Sequence, residues 1–500
     1  MNFDLRDICL HLEKHQAMRQ LLIILFSSIC CGAGAQQQLT LNEAFSLALE
    51  HNKMLDSRHS DVTTAYYELR AARGLYYPKV ELIGAYVLTD RDMDINLSGK
   101  NGAIESGANA LIGQGIANGL ITPAIGDMLR SLLSPLRALN LNYTLQKRSF
   151  GLLAAKVTMP LYAGGRIRAA NRAAAIKLSM TEYKLDAAKS HLYTTLVEQY
   201  FGVVLLRYAV DVRHAVFNAV VKHLEDAKAL EEEGVIAHSE VLAVEYRLAE
   251  VRRDLASEEH RLHMAQRALN TTLGIKDEVV PIDELFIGNS SLTIDYYIDN
   301  AINLNSALSD AKLNIDLAHE GVVSAKAELL PTVGIIGGGS LYDYQLSDIL
   351  PRWVVGIEAS ITLFDGLSKE NNLRAAKSRV DSVNSAVENG RDEIVLLAEN
   401  EYYNMINALS DIAASRSSIA TADSYYYSAL EGFRAGVVSS SDLIDAEVAR
   451  AAAMLTLLNA SYEYCCSLAR LLEVSALSHT FDTYRENGEI IDIKSGLINQ

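Results

Sequence analysis

The sequence predicts a mainly α-helical chain that also carries strands of a transmembrane β-barrel, arranged as two tandem repeats of a strand pair followed by a long coiled-coil helical hairpin. Three observations lead to this class. The chain is internally duplicated at a constant offset, Gly and Pro are absent over long stretches, and four short segments alternate apolar and polar residues. Only 7 of the 500 residues are proline, so the punctuation expected of two to four separate globular domains is scarce.

The duplication organises the rest. Val157-Thr158-Met159-Pro160-Leu161-Tyr162-Ala163-Gly164 matches Ala359-Ser360-Ile361-Thr362-Leu363-Phe364-Asp365-Gly366 at an offset of 202 residues. Further on, the segment from Gly234 to Leu242 matches Gly436 to Ile444 at the same offset of 202. About 70 residues separate the two matches without a net insertion, which reads as one rigid helix rising on the order of 100 Å. Its return partner after Gly234 shows a coiled-coil seam, with Val241, Leu248, Leu255, Leu262 and Leu269 recurring every seven residues beside Val244, Val251 and Ala265. The second half carries Leu443, Leu457, Tyr464 and Leu471, interrupted by Arg450, beside Ala446, Ala453 and Ala460, whose small side chains allow close approach.

Each long helix pair is preceded by strands. Leu153, Ala155, Val157, Met159 and Leu161 alternate with Ala154, Lys156, Thr158 and Pro160, and Val355, Ile357, Ala359, Ile361 and Leu363 alternate with Gly356, Glu358, Ser360 and Thr362. Each has an earlier, proline-led partner: Val80, Leu82, Gly84 and Tyr86 after Pro78, and Val333, Ile335 and Gly337 after Pro331. Pro78 to Pro160 spans 82 residues and Pro331 to Thr362 spans 31, so the first hairpin holds 51 extra residues. This insert, rich in Gly, Asn and Ala, reads as a long external loop in which Met128 to Leu133 has helical character.

The boundaries follow: a leader over 1–35; a first repeat over 36–275 with strands near 79–88 and 150–162, the insert at 89–148 and a helical hairpin at 166–274; a linker at 276–295; a second repeat over 296–475 with strands near 332–342 and 353–364 and a hairpin at 368–474; and a tail at 476–500. The tail either follows the middle of the helices or is disordered. Open sheet edges cannot face lipid, and the smallest outer-membrane barrels use about eight strands, so four strands per chain call for several copies. A trimer supplies twelve strands. The same alternation also suits a soluble sandwich or half-buried sheet, and the leader and long helices favour the membrane reading.

Arg19, the apolar run Leu21 to Cys31, and Ala33-Gly34-Ala35 have the form of a signal peptide whose mature chain starts at Gln36; the residues before Met18 read as an upstream start. Cys9, Cys30 and Cys31 leave with it, so no disulfide framework remains. Cys30 and Cys31 are the candidate lipid acceptors, although neither follows the Leu-x-(Ala/Gly) that such processing prefers. A net charge of −17 without a basic block argues against nucleic acid as a partner.

The order of helix, proline-led strand pair, long helix, Gly turn and long helix, repeated twice over residues 39–475, resembles the TolC-like outer-membrane efflux proteins. The specific marker is Gly436-Val437-Val438-Ser439-Ser440-Ser441-Asp442-Leu443-Ile444-Asp445, similar to the family's periplasmic tip, where Asp residues follow the Gly by six and nine positions. The resemblance implies a homotrimer with a twelve-stranded barrel in the outer membrane and a helical periplasmic tunnel. It implies a periplasmic adaptor and an inner-membrane transporter as partners, no cofactor and no enzymatic reaction. It further implies that Asp442 and Asp445 ring the tunnel entrance while the turns at Gly234 and Gly436 face the adaptor. Where the family carries a Tyr and an Arg flanking the Gly, this chain has Phe433 and Val438, which puts the family's ionic lock in question.

Function classes narrow accordingly. The implied role is a passive exit duct for small molecules driven by an inner-membrane pump; type I protein secretion uses the same architecture, and a structural periplasmic coiled-coil protein is the alternative of another class. Asp442 and Asp445, three apart on one helix face, would converge six carboxylates in a trimer and favour cations, but Asp442 also suits a capping box with Ser439. His260 and His263 lack a carboxylate or Cys partner and read as solvated surface. Gly337-Gly338-Gly339 lacks the Lys-Ser/Thr and helix of a phosphate loop and reads as a turn or thin barrel wall. Cys465 and Cys466 read as buried packing, and Tyr296-Tyr297 and Tyr425-Tyr426-Tyr427 as helix-packing or equatorial contacts. No nucleophile–base or paired-carboxylate constellation assembles.

Overall fold

The computed structural model describes residues 37–96, 103–132, 142–276, 278–288, 292–347 and 351–491. The leader with Cys30 and Cys31 and the tail beyond 491 lie outside the described residues. The chain divides into two compact units, one of Ser60–Glu182 and Asp310–Glu388, the other of Met1–His59, Tyr183–Ser309 and Asn389–Gln500.

The first unit is built on an antiparallel sheet of four strands, β2 (Lys79–Leu88), β5 (Ser149–Ala163), β8 (Thr332–Tyr344) and β9 (Trp353–Ser360), in that spatial order. The two repeats therefore join through β5 and β8, with Val157 opposite Gly337 and Met159 opposite Ile335. Register puts the alternating apolar sets on a single face: Leu82 lies opposite Ala155, Val80 opposite Val157, and Ile357 opposite Ile335. That face is open, with Leu82 65% and Ile357 74% exposed. A chain that buried its apolar residues in an ordinary core would show the reverse. Gly337, Gly338 and Gly339 lie inside β8, where Gly338 faces Lys156 and a Cβ would stand 3.1 Å from the Ala155 carbonyl oxygen. They form thin wall and not a turn.

The insert differs from the external loop that its composition suggests. It folds into β3 (Met93–Asn96), α3 (Ala103–Ala117), α4 (Pro123–Leu132) and β4 (Asn142–Gln146), with β3 pairing β4. Helix α4 extends the helical run at Met128 back to Pro123, which takes the first helical position where its missing N–H costs nothing.

The first repeat continues through α5 (Arg166–Glu232) and α6 (His238–Leu273), the second through α9 (Ser368–Arg434) and α10 (Ser440–Val474); α5 and α9 each have 67 residues. Shorter helices precede the strands: α1 (Leu41–His51) and α2 (Lys53–Gly74), then α7 (Ile294–Leu304) and α8 (Ser306–Ala327). None of the described helices is long and apolar enough to cross a membrane. The seam residues Val241, Val244, Val251, Leu255 and Leu269 are buried, as are Leu443, Leu457, Tyr464 and Leu471.

In the second unit the linker and tail are structural. Strand β1 (Gln37–Leu39) runs parallel to β6 (Val279–Pro281), and β7 (Phe286–Ile287) pairs β10 (Glu489–Ile490), which follows the short α11 (Phe481–Glu486). Asp283 ties these together: Oδ2 accepts from the Leu41 N–H at 2.7 Å and Oδ1 from Arg485 Nη1 at 2.6 Å. The Tyr200 hydroxyl donates to the Leu39 carbonyl at 2.7 Å and accepts the Ile282 and Asp283 N–H groups at 3.0 Å. Phe201, Phe286, Phe481 and Tyr464 pack around it with ring centres 5.6 to 6.3 Å apart, each burial of that size worth about 2 kcal/mol. Tail residues 476–491 are thus part of this core and not a disordered end. Cys465 and Cys466 are buried and unpaired here, and burial pushes the Cys465 thiol up to about 12.

Gly274 ends α6 with φ of +72°, and a Cβ there would stand 2.6 Å from the His51 carbonyl oxygen, closing α6 onto α1. Gly274→Ala combines left-handed strain with that clash and is expected to cost about 2 kcal/mol, read as a lowered thermal midpoint of the detergent-solubilised protein.

Candidate functional site at the helical turns

The long helices reverse at two matching turns in the second unit. Gly234 has φ of +76° and Gly436 φ of +71°. In the first, the Gly234 N–H donates to Glu231 O and the Val235 N–H to Leu230 O, both at 2.8 Å; in the second, Gly436 donates to Phe433 O and Val437 to Gly432 O, both at 2.9 Å. This pair of bonds around a left-handed glycine satisfies the last carbonyls of a helix and reverses the chain. Only open space surrounds either Cβ position, so both glycines are there for conformation and not for close approach.

The entering helices begin differently. Ser439 caps α10, accepting the Asp442 N–H at 3.1 Å and donating its hydroxyl to Asp442 Oδ2 at 2.7 Å. The carboxylate therefore holds the capping hydroxyl, whereas a full capping box would have it accept the Ser439 N–H. Ala237, in the matching place before α6, makes no side-chain cap, and His238 Nδ1 lies 2.7 Å from Glu231 Oε1 instead. Asp442 and Asp445 are both exposed on α10, but only Asp442 is engaged locally. Asp445 Oδ1 takes Arg247 Nη2 of α6 at 2.9 Å, and Arg247 Nη1 also reaches Glu250 at 2.9 Å.

Phe433 and Val438 are apolar partners. Phe433 is buried with Tyr426, Ala429, Leu443 and Ala446, and Val438 packs on the same cluster. Val438 also lies directly over Gly432, leaving no room for a Cβ, a requirement that the matching Leu230 does not share. His223 is buried with its ring centre 6.4 Å from that of Phe433, and burial lowers its pKa.

Above this cluster sits a buried polar group that the heptad pattern registered only as an interruption. Arg450, 4% exposed, donates from Nε to Asp423 Oδ1 at 2.5 Å and lies 5.3 Å from the centre of the Tyr426 ring. Glu447, 2% exposed, faces Tyr426. Burial raises its pKa, countered by Tyr426 and Arg450 and reinforced by Asp423. Its Oε2 is without a hydrogen-bond partner. Glu447 and Arg450, three apart on α10, share a face as any i, i+3 pair does; nothing in their spacing announces that the face is the buried one.

Among the described residues, no three His, Cys, Asp or Glu side chains are grouped to hold a metal ion, and His260 and His263 are exposed.

The outer membrane efflux protein family matches residues 297–476, the second repeat with its tip. The chain is 22% identical over 306 residues to alkaline protease secretion protein AprF of Pseudomonas aeruginosa, covering 58% of this chain and 63% of that protein. It is 22% identical over 192 residues to outer membrane protein TolC of Salmonella enteritidis, covering 36% and 39%. These matches make the chain similar to TolC-like outer membrane efflux proteins, with the family match confined to residues 297–476. The chain spans less than two thirds of the length of either relative. The Campylobacter jejuni CmeC outer membrane channel shares the fold, with a TM-score of 0.68 at 13% identity, covering 91% of this chain and 90% of that one. Both the matching family and TolC are named as outer-membrane proteins.

Two substitutions probe the buried polar group. Arg450→Met strands Asp423 and Glu447 and is expected to cost about 3 kcal/mol, seen as a lower urea midpoint. Glu447 carries a raised folded pKa, so its ionised form costs stability at high pH and that cost disappears as pH falls through the folded value. Glu447→Gln is therefore expected to match or exceed wild-type stability at pH 8, with the wild type recovering relative to it as pH drops toward 5. His223, with its lowered pKa, acts in the opposite direction in both proteins and cancels in the comparison.

Proposed function

We propose that three copies of this chain close their sheets into a twelve-stranded barrel across the outer membrane, and that their helical hairpins form a periplasmic tunnel. The chain is then the outer-membrane exit duct of a tripartite efflux system. It conducts small molecules passively, an inner-membrane pump supplies the energy, and a periplasmic adaptor joins the two. The carrying observation is the four-stranded sheet: its Leu82–Ile357 face is apolar and open, and its edges β2 and β9 are each paired on one side only. Such a sheet is unstable in water and in lipid unless neighbouring copies pair with its edges.

In this reading the turns at Gly234 and Gly436 meet the adaptor, and Asp442 and Asp445 line the tunnel entrance. Three copies bring six carboxylates together, which favours cations. Phe433 and Val438 replace the family's polar lock by apolar packing, and Arg247–Asp445 supplies an ion pair between α6 and α10 within one chain. A second reading, the outer-membrane component of type I protein secretion, is favoured by the likeness to AprF, named as a protease secretion protein. Deleting the gene separates the two: efflux predicts raised susceptibility to toxic small molecules, and secretion predicts loss of an exported protein with susceptibility unchanged.

The direct test is conductance of the purified protein in a planar bilayer, with its mass in detergent counted as copies. A trimer with a small, cation-selective conductance that rises severalfold and loses selectivity in the Asp442→Ala, Asp445→Ala double variant is expected. Well-folded protein that conducts nothing, in either form, rejects the duct.

A further inference from the structure

We propose that the α3–α4 hairpin of the insert is a plug seated against the inner wall of the barrel, so that the outer half of this duct is narrowed by the chain's own residues. The inference rests on the barrel reading above and adds the insert to it.

The first observation is which face the hairpin covers. A cavity of about 200 Å³ lies between hairpin and sheet, lined on the sheet side by Ile83, Val87 and Leu152 and on the hairpin side by Ile112, Ile125 and Leu129. Ile83 and Val87 alternate with Leu82, Tyr86 and Leu88, which are 65 to 70% exposed on the opposite, apolar face. The hairpin therefore lies on the face that a barrel turns toward its lumen.

The second is polarity along that inner face. Near the helices it carries Glu81 opposite Lys156, Thr158 opposite Lys79, and Glu358 opposite Gly334. Toward the far end of β2 and β5 the same face becomes Ile83, Ala85 opposite Leu152, and Val87 opposite Phe150, while β8 places Ser340 opposite Ala154 and Asp343 opposite Leu152. The wall of a water-filled channel is polar. The apolar stretch that β2 and β5 place in its outer half needs a cover, and α3–α4 supplies it there.

The third is that the hairpin is built as a unit with one apolar side. At Gly126 a Cβ would stand 2.6 Å from Ile116 Cδ1 and 3.0 Å from Ile112 Cγ2, so α4 packs on α3 at that glycine. Asp127 and Arg130 pair at 2.6 Å on the exposed side of α4. Twelve strands about 4.8 Å apart and tilted about 40° close a ring roughly 24 Å across. Helices with side chains are about 10 Å wide. Three two-helix hairpins inside such a ring fill most of its bore and leave a narrow path.

Cysteine accessibility from outside the cell tests this. Intact cells carrying Ile83→Cys or Leu82→Cys are treated with a membrane-impermeant maleimide, each in the full chain and in a chain whose residues 103–132 are replaced by a short Gly/Ser turn. Buried Cys465 and Cys466 do not compete. The plug predicts Ile83→Cys labelling at least tenfold faster in the shortened chain, with Leu82→Cys protected by lipid in both. Equal rates at Ile83→Cys with Leu82→Cys protected overturn the plug and leave the barrel standing. Rapid labelling of Leu82→Cys overturns the barrel itself. If the shortened chain does not reach the membrane, Gly126→Leu, which wedges α4 away from α3, decides: severalfold faster labelling at Ile83→Cys supports the plug, and an unchanged rate overturns it.

Discussion

Everything in this chain is organised around a sheet that cannot satisfy itself. Among the described residues, strands β2 and β9 each leave one edge of N–H and C=O groups unpaired, while Leu82, Val355, Ile357 and Trp353 stand open on one face. In water the face is a liability, and in lipid the edges are. The proposed closure with other copies would remove both costs at once, because it would pair the edges and leave the apolar face to the membrane. The repeat makes this economical: two hairpins joined through β5 and β8 give four strands per chain from one duplicated pattern.

The helical hairpins solve a different problem. Helices of 67 residues must return, and the return is made by a left-handed glycine whose neighbours close the last carbonyls. The two turns share that geometry and differ in everything attached to it. Ser439 caps α10 where Ala237 does not cap α6, and Gly432 yields to Val438 where Leu230 has no such neighbour. Duplication thus supplied one backbone solution and left the side chains free to diverge, so that Asp442 and Asp445 of the second turn are matched by Glu240 and Ala243 in the first. The buried Arg450, paired with the part-buried Asp423 and accompanied by Glu447 and Tyr426, sits just behind it in a mostly apolar seam. A polar group in such a seam costs stability and penalises any shift of one helix along the other, since a slipped register would leave charges unpaired.

The linker and tail are where the two repeats are tied. Asp283 takes hydrogen bonds from Leu41 and Arg485, joining the start of the described chain to its end, and the Tyr464 hydroxyl holds both polar groups of Gly288. These contacts span up to 242 residues. Nothing periodic marks them, because each depends on a single side chain meeting a backbone group brought from far along the chain.

The sequence by itself determined the duplication, the long helices, the four strands and which of their residues share a face. All of these depend on spacing: an offset of 202 residues, a seven-residue repeat and a two-residue alternation. It also marked Gly234, Gly436, Asp442 and Asp445, because turn and cap chemistry is local. It could not say that Asp445 meets Arg247, that Phe433 and Val438 enter one apolar cluster, or that the interruption at Arg450 is a buried guanidinium paired with Asp423. Each of those requires two helices in a particular rotation. The insert is the plainest case. Its Gly-rich composition describes a loop, and only tertiary structure decides that α3 and α4 turn their apolar side toward Ile83 and Val87, since which face of a sheet a segment covers is set by packing and not by any local pattern.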